Sequence, residues 1–299
     1  MWGQLCYRGP VEPKTVQLVV PGATYNHIYW DFPYGHGYYS YVDAATAAGY
    51  ATFNVDRIGT GSSSHPPSAD VTVTANAVAL HDAITDLRAG TVDGHRFQHV
   101  IWVSHSLGSL VGWYEISRYH DVDAAILTGA LHAVSPDLGA AIGGDVYPAA
   151  DDPAFADSGL DPGYLTTVPG SRESLFYYPA TANPAVVALD EATKDTGTVA
   201  ELGIFSAITL PPDQAPSQQI TVPVLLVDGQ QDAIFCQEVT QYNCAGPASV
   251  LSYESQYYPP QAHLQVAIIP GTGHDLALST TAPLADAIMI GWALSAVTP

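Results

Sequence analysis

The sequence predicts an α/β protein: a mostly parallel central sheet with helices on both faces and an inserted cap. Three observations predict it. Short β-rich apolar runs alternate with stretches of helical spacing, the pattern of βαβ units. Four of the apolar runs are nearly unbroken, as strands covered on both faces require. The alternation stops between residues 128 and 222 and then resumes, which marks an insertion.

Taken in order, WGQLCYRG (2–9) suits one antiparallel strand ahead of the parallel set. TVQLVV (15–20), ATFNV (51–55), HVIWV (99–103), DAAILT (123–128), VPVLLV (222–227) and LQVAII (264–269) read as the parallel strands. Between them, residues 38–50, 76–90, 106–120 and 283–297 carry apolar side chains at helical spacing. Gly49 and Gly90 stand where helices end in a left-handed residue. The interrupted stretch is rich in Pro, Asp and aromatics, with two short helices near 183–193 and 197–207 and no strand pattern. Its Phe and Tyr clusters distinguish it from a linker. The expected organisation is a core of residues 1–131 and 218–299 with an inserted cap or lid at 132–217.

A chain of 299 residues, 47% of them hydrophobic, can bury a sizeable core. No apolar run approaches the roughly 18 residues of a membrane span, so a soluble protein is expected. Acidic side chains number 29 against 8 basic ones. The net charge of −21 argues against nucleic acid and anionic membranes as partners. It reads first as a solubilising surface.

Cys236 and Cys244 enclose the short segment QEVTQYN, which a disulfide could close, leaving Cys6 over. Both could instead stay reduced; the bridge is the favoured reading and implies an oxidising compartment. MWGQLCYRGP has neither a basic n-region nor an apolar h-region, so no signal peptide is visible. Either the protein is cytoplasmic or Met1 begins a chain lacking its leader; the cysteine pair favours the second, hence secretion.

Open α/β sheets bind ligands beyond the carboxyl ends of their strands, so polar residues just past a strand matter most. Ser106 follows the strand at 99–103 in SHSLG, one residue away from the G-x-S-x-G nucleophile elbow because Ser104 replaces the first glycine. It could be a nucleophile or a structural serine in a turn. Asp232 follows VPVLLVDGQQ, and His274 follows LQVAIIPGTG. With VVPG, DRIGTGSS, GQQD and GTGH in this order, the sequence resembles the α/β-hydrolase family over nearly its whole length, and within it secreted bacterial esterases and lipases. The resemblance implies an α/β-hydrolase fold, with Ser106 as nucleophile, His274 as base and Asp232 as acid.

Ser104 is the departure. The elbow wants a small residue there, and serine is expected to crowd the strand–helix crossing without blocking it. Among the other histidines, His105 should point away from Ser106, while His132 reads first as a satisfied core residue. Histidines 27, 36, 65, 81, 95, 99, 120 and 263 read as surface or loop residues. None pairs with acids at ligand spacing, so no metal is expected. Asp228 competes with Asp232 for the acid's role, but reads as a partner of backbone amides in its own loop. Asp275 reads as the N-cap of the segment after it. By the family's plan, the oxyanion hole is formed by the Leu107 amide and that of Ala23, where Pro21-Gly22 replaces the usual His-Gly.

These residues imply a serine hydrolase acting on a small, apolar carboxylic ester, with no cofactor. Tyr164, Phe176, Tyr177, Tyr178 and Phe205 in the insertion either line such a pocket or pack the core. Lactone, thioester or amide cleavage stays open, as does a binding protein that kept the fold and lost catalysis.

Overall fold

The computed structural model describes residues 1–9, 13–135, 144–236 and 243–299. In chain order the strands are β1 (Trp2–Cys6), β2 (Thr15–Val20), β3 (Ala51–Asp56), β4 (His99–His105) and β5 (Ala124–Thr128). Then come β6 (Val146–Pro148), β7 (Tyr164–Thr167), β8 (Gly197–Thr198), β9 (Val224–Gly229) and β10 (Gln265–Ile269). The helices are α1 (Tyr41–Ala47), α2 (Val73–Ala89), α3 (Leu107–Tyr119), α4 (Arg172–Phe176) and α5 (Pro184–Ala192). They continue as α6 (Val199–Leu202), α7 (Phe205–Ile208), α8 (Pro247–Glu254) and α9 (Ala282–Ala296).

The main sheet runs β1-β3-β2-β4-β5-β9-β10, parallel throughout except for the antiparallel edge strand β1. Side chains alternate across it and sort the core into two layers. Val16, Leu18, Trp102 and Leu127 meet α2 and α3 through Leu80, Ile84, Leu110 and Trp113. Val19, Ile101, Val103 and Ile126 meet α1 and α9 through Val42, Ala45, Ala285 and Met289. Because both faces are covered, the strands lose the alternation of a half-exposed sheet and read as apolar runs. Gly90 ends α2 in the left-handed conformation, as its position in the sequence predicts. Strand order reverses between β2 and β4, which opens a crevice beyond their carboxyl ends.

The structure corrects the reading of the insertion, where no strand was expected. β6, β7 and β8 form a separate antiparallel sheet, followed by the short α6 and α7 where one helix near 197–207 was expected. Strands of two to four residues are too short to carry a period-2 signal. Helix α8, between β9 and β10, was likewise not anticipated. None of the described helices is long and apolar enough to cross a membrane.

Candidate active site

Ser106 occupies the turn between β4 and α3 with φ 51° and ψ −120°, a backbone region that L residues avoid. Such a conformation costs about 1–3 kcal/mol and persists only where its surroundings impose it. Here the Ser106 amide donates to the Thr128 carbonyl at 2.8 Å. A Cβ at Gly108 would lie 2.7 Å from the Pro21 carbonyl oxygen, so α3 can approach the end of β2 only with glycine there. At Gly22 a Cβ would lie 3.1 Å from that of Ser106, and this brings the loop after β2 against the serine.

Ser104 is accommodated at the crossing, and its hydroxyl is engaged there. Its hydroxyl is buried and paired with Ser109 Oγ at 3.0 Å, and Ser109 donates on to the Thr128 carbonyl at 2.9 Å. The side chain that breaks the glycine pattern is thus bonded across the turn. Ser104→Gly should lose about 1 kcal/mol of stability rather than gain any, with turnover kept within a few-fold. Ser104→Leu should lose about 1–3 kcal/mol through overpacking and most of the activity. Thermal melts beside turnover on an activated ester check both.

His274, after β10, approaches the Ser106 Oγ through Nε2 at 2.9 Å. Its Nδ1 meets Asp232 Oδ2 at 2.7 Å. Asp232 is fully buried, and its Oδ1 accepts from the Ile234 amide at 2.7 Å and the Phe235 amide at 3.2 Å. Burial alone would raise its pKa; the facing His274, then the neighbouring Asp228 carboxyl and the Ile234 amide, bring it down to about 2, so it is a carboxylate. Burial would lower the His274 pKa, but the Asp232 charge outweighs it and leaves a net rise. Asp228 makes no bond to the histidine. It accepts the Gly229 amide at 2.7 Å at the end of β9, rather than amides of the loop beyond it as expected. Burial, then the Asp232 charge, pushes its carboxyl well above the usual range.

The neighbouring residues differ in part from expectation. His105 points away from Ser106, stacks on Tyr29 at 4.5 Å and bonds Thr128 Oγ1 at 3.1 Å. His132 is a satisfied core residue between Trp113 and Tyr257, bonded to Glu254 at 2.7 Å. Asp275 is no N-cap: Thr281 stands at the N-cap position of α9, while the Asp275 carboxylate accepts from the Tyr25 hydroxyl. Histidines do pair with acids, as His27–Asp56, His81–Asp121 and His99–Asp123. Each pair joins distant chain positions, so spacing could not reveal it.

Two buried arginines went unnoticed in the sequence. Arg57 Nε and Nη2 donate to the carbonyls of Pro21 (3.2 Å) and Gly22 (3.0 Å), while its Nη1 pairs with Glu201 on α6. Arg172 grips Asp190 with two bonds of 2.9 Å and donates to Thr24 Oγ1 at 3.0 Å. The loop holding Ala23 is therefore pinned on both sides by cations anchored in the insertion. Neither the Ala23 nor the Leu107 amide donates a hydrogen bond among the described residues. The signal available in the sequence was Arg57 within DRIGTGSS; its partner lies too far along the chain to be read locally.

A cavity of about 240 Å³ opens over Ser106 and His274, with Ala23 in its wall. Leu165, Phe176, Leu202 and Phe205 from the insertion and Ile234 and Phe235 beyond β9 supply apolar lining. Of the five aromatics named from the sequence, Phe176 and Phe205 line it; Tyr164, Tyr177 and Tyr178 do not. Tyr164 bonds the Pro66 carbonyl at 2.6 Å and Tyr177 bonds Asp190 at 2.9 Å, both as packed residues.

Cys236 and Cys244 form a disulfide just past Asp232, and the Cys236 amide donates to the Asp232 carbonyl at 2.9 Å. Residues 237–242 between them lie outside the described residues. Closing so short a loop is worth roughly 2–3 kcal/mol by chain entropy. Reduction should lower turnover more than global stability, because the segment it frees adjoins the carboxylate on His274. Activity and melting temperature with and without reductant, beside a non-reducing peptide map, check this.

The profile of the Alpha/beta hydrolase family matches residues 17–287. No curated protein matches the sequence significantly. Among solved structures, a soluble variant of monoglyceride lipase from Saccharomyces cerevisiae is similar at TM-score 0.65 and 16% identity, over 97% of this chain and 90% of that one. Bromoperoxidase from Bacillus anthracis is similar at TM-score 0.62 and 18% identity, over 97% and 94%. Est1E from Butyrivibrio proteoclasticus, solved with ferulic acid bound, is similar at TM-score 0.57 and 18% identity, over 99% and 95%. Likeness at these identities concerns the fold, whereas the profile spans the parallel strands from within β2 onward, the Ser106 turn and the loops of Asp232 and His274. The chain belongs to the Alpha/beta hydrolase family.

Proposed function

We propose that the protein is a serine hydrolase that cleaves a small carboxylic ester with an apolar acyl or single-ring aromatic group. The observation that carries this reading is the run of hydrogen bonds Ser106–His274–Asp232 at the floor of an apolar cavity. In the proposed reaction Ser106 Oγ attacks the ester carbonyl while His274 Nε2 takes its proton. Asp232 holds the Nδ1–H tautomer and stabilises the imidazolium. The Ala23 and Leu107 amides receive the oxyanion. His274 then protonates the leaving alkoxide, and water deprotonated by the same ring cleaves the acyl-enzyme. Every step is served by side chains and amides of this chain, and none calls on a cofactor.

The lipase and the ferulic acid complex among the structural relatives support an ester as the substrate class. Residues 132–217 act in this reading as a cap on a core of 1–131 and 218–299, supplying one wall of the pocket. The cavity is below the roughly 300–1,000 Å³ of drug-sized sites, so short acyl or single-ring esters should be preferred to long-chain fatty esters. The disulfide supports maturation in an oxidising compartment.

A fluorophosphonate probe and a panel of esters, lactones, thioesters and amides test the proposal. Labelling of Ser106 with turnover highest on short esters is expected. No labelling of folded protein would overturn it in favour of a binding role, and preference for another acyl group would overturn the ester assignment. The pH profile supplies a further check. Neutral His274 is the active form, and its pKa lies above the ordinary 6.5. Turnover should therefore fall as pH drops through a midpoint above 6.5. In Asp232→Asn burial acts on the ring against the weaker charge of Asp275 alone, so the midpoint should move to lower pH while the rate drops.

A further inference from the structure

Away from the cavity, α2, α3 and the turn after α3 bring together His81, Glu115 and Asp121, whose ligand atoms all lie within 4.8 Å of one another. Glu115 is wholly buried, and neither of its carboxylate oxygens has a hydrogen-bond partner among the described residues. Asp121 Oδ1 has none either, while Oδ2 meets His81 Nδ1 at 2.6 Å. An ionised carboxylate buried without a partner costs several kcal/mol, so such groups are paired, protonated or bound to metal. The nearby arginines are committed elsewhere: Arg88 to the Asp121 carbonyl and the Asp123 carboxylate, Arg118 over the Tyr119 ring. What Glu115 lacks is a cation.

We propose that His81, Glu115 and Asp121 bind one divalent zinc-class ion, with water in the fourth position. One imidazole and two carboxylates suit zinc, whereas calcium and magnesium take oxygen ligands and do without the histidine. Tetrahedral bonds of 2.0–2.2 Å place ligand atoms roughly 3.3–3.6 Å apart, within reach of small rotamer changes in this cluster. The two carboxylates neutralise the ion. His81 and Asp121 are 30% and 16% exposed and give it a path from solvent, with Glu115 at the bottom. His81 stacks on Tyr119 at 3.8 Å, which fixes the plane of the ring. Such an ion staples α2 to α3, the helix that opens at Ser106, and to the turn leading into β5. Its role is structural, since the chemistry proposed above does not involve it.

The competing state is a proton on Glu115, where burial and the neighbouring Asp121 push the pKa up to about 9. The test uses the full chain free of any histidine tag, stripped with chelator and titrated with zinc, calcium or magnesium. One zinc per chain is expected by calorimetry and elemental analysis, with a rise in melting temperature that chelator reverses. His81→Ala and Glu115→Gln should each weaken zinc binding by on the order of a hundredfold and remove the rise. Both should keep basal ester turnover. Should Glu115→Gln fail to fold, His81→Ala decides alone. Absence of stoichiometric zinc would overturn the proposal in favour of the shared proton. Zinc binding unchanged in the variants would overturn it in favour of another site, and equal binding of calcium would overturn the choice of ion.

Discussion

Ser106→Ala is expected to reduce hydrolysis of an activated ester by on the order of 10⁶-fold, and His274→Ala by a similar factor. The double variant should be no slower than either single one, because a hydroxyl without its base and a base without its hydroxyl both remove the same step. Ser106→Ala keeps the strained turn and loses one hydroxyl, so its melting temperature should stay near the parent value; His274→Ala leaves the buried Asp232 without its partner and should melt lower. Asp232→Asn should cost on the order of 10⁴-fold, since the amide can favour the wrong imidazole tautomer. Asp228→Asn should turn over at close to the parent rate, because its carboxyl meets the Gly229 amide and not His274. Near-parent turnover in Ser106→Ala would remove the proposed nucleophile. A large loss in Asp228→Asn with none in Asp232→Asn would exchange the roles of the two acids.

Arg57→Met should destabilise the fold by about 3–5 kcal/mol, the usual consequence of leaving one partner of a buried ion pair behind. Arg57 is 0% exposed and Glu201 1%, so the stranded Glu201 has no water to turn to. The Asn76 side chain and the Thr198 amide, each donating to it at 3.0 Å, do not replace a charge. The same arginine holds the Pro21 and Gly22 carbonyls, so its loss also frees the loop that carries Ala23, the proposed oxyanion donor. A misplaced oxyanion donor costs about 10²–10³ in kcat. The double variant Arg57→Met/Glu201→Gln separates the two effects. It should recover much of the stability, with neither charge of that pair left, yet stay slow because the Pro21 and Gly22 carbonyls have lost their clamp. Urea unfolding beside turnover reads both quantities; full recovery of turnover in the double variant would make Arg57 purely structural.

Much of this molecule was legible in one dimension, and the reason is that the determining forces are local. Apolar runs specified the parallel strands β2, β3, β4, β5, β9 and β10, including 15–20, whose bounds coincide with the observed strand. The glycines after α1 and α2 marked their ends by backbone sterics alone. The turn at Ser106 was readable because a sharp strand-to-helix passage admits only small neighbours, and Gly108 meets that demand against backbone atoms.

What tertiary structure decided is whatever depends on where a side chain points and what reaches it from afar. Asp228 and Asp232 stand four positions apart at the end of β9 and in the turn beyond it, and only the path of the chain brings the second to His274. Ser104 was read as a steric intrusion because its partner, Ser109, becomes a neighbour only after β4 turns into α3. The small sheet of the insertion escaped notice because its strands are shorter than the pattern that reveals strands. The clamps Arg57–Glu201 and Arg172–Asp190 and the cluster His81, Glu115, Asp121 join elements remote in sequence. Buried charges acquire meaning only through their partners, and a linear sequence records the charge without saying which partner the fold will supply.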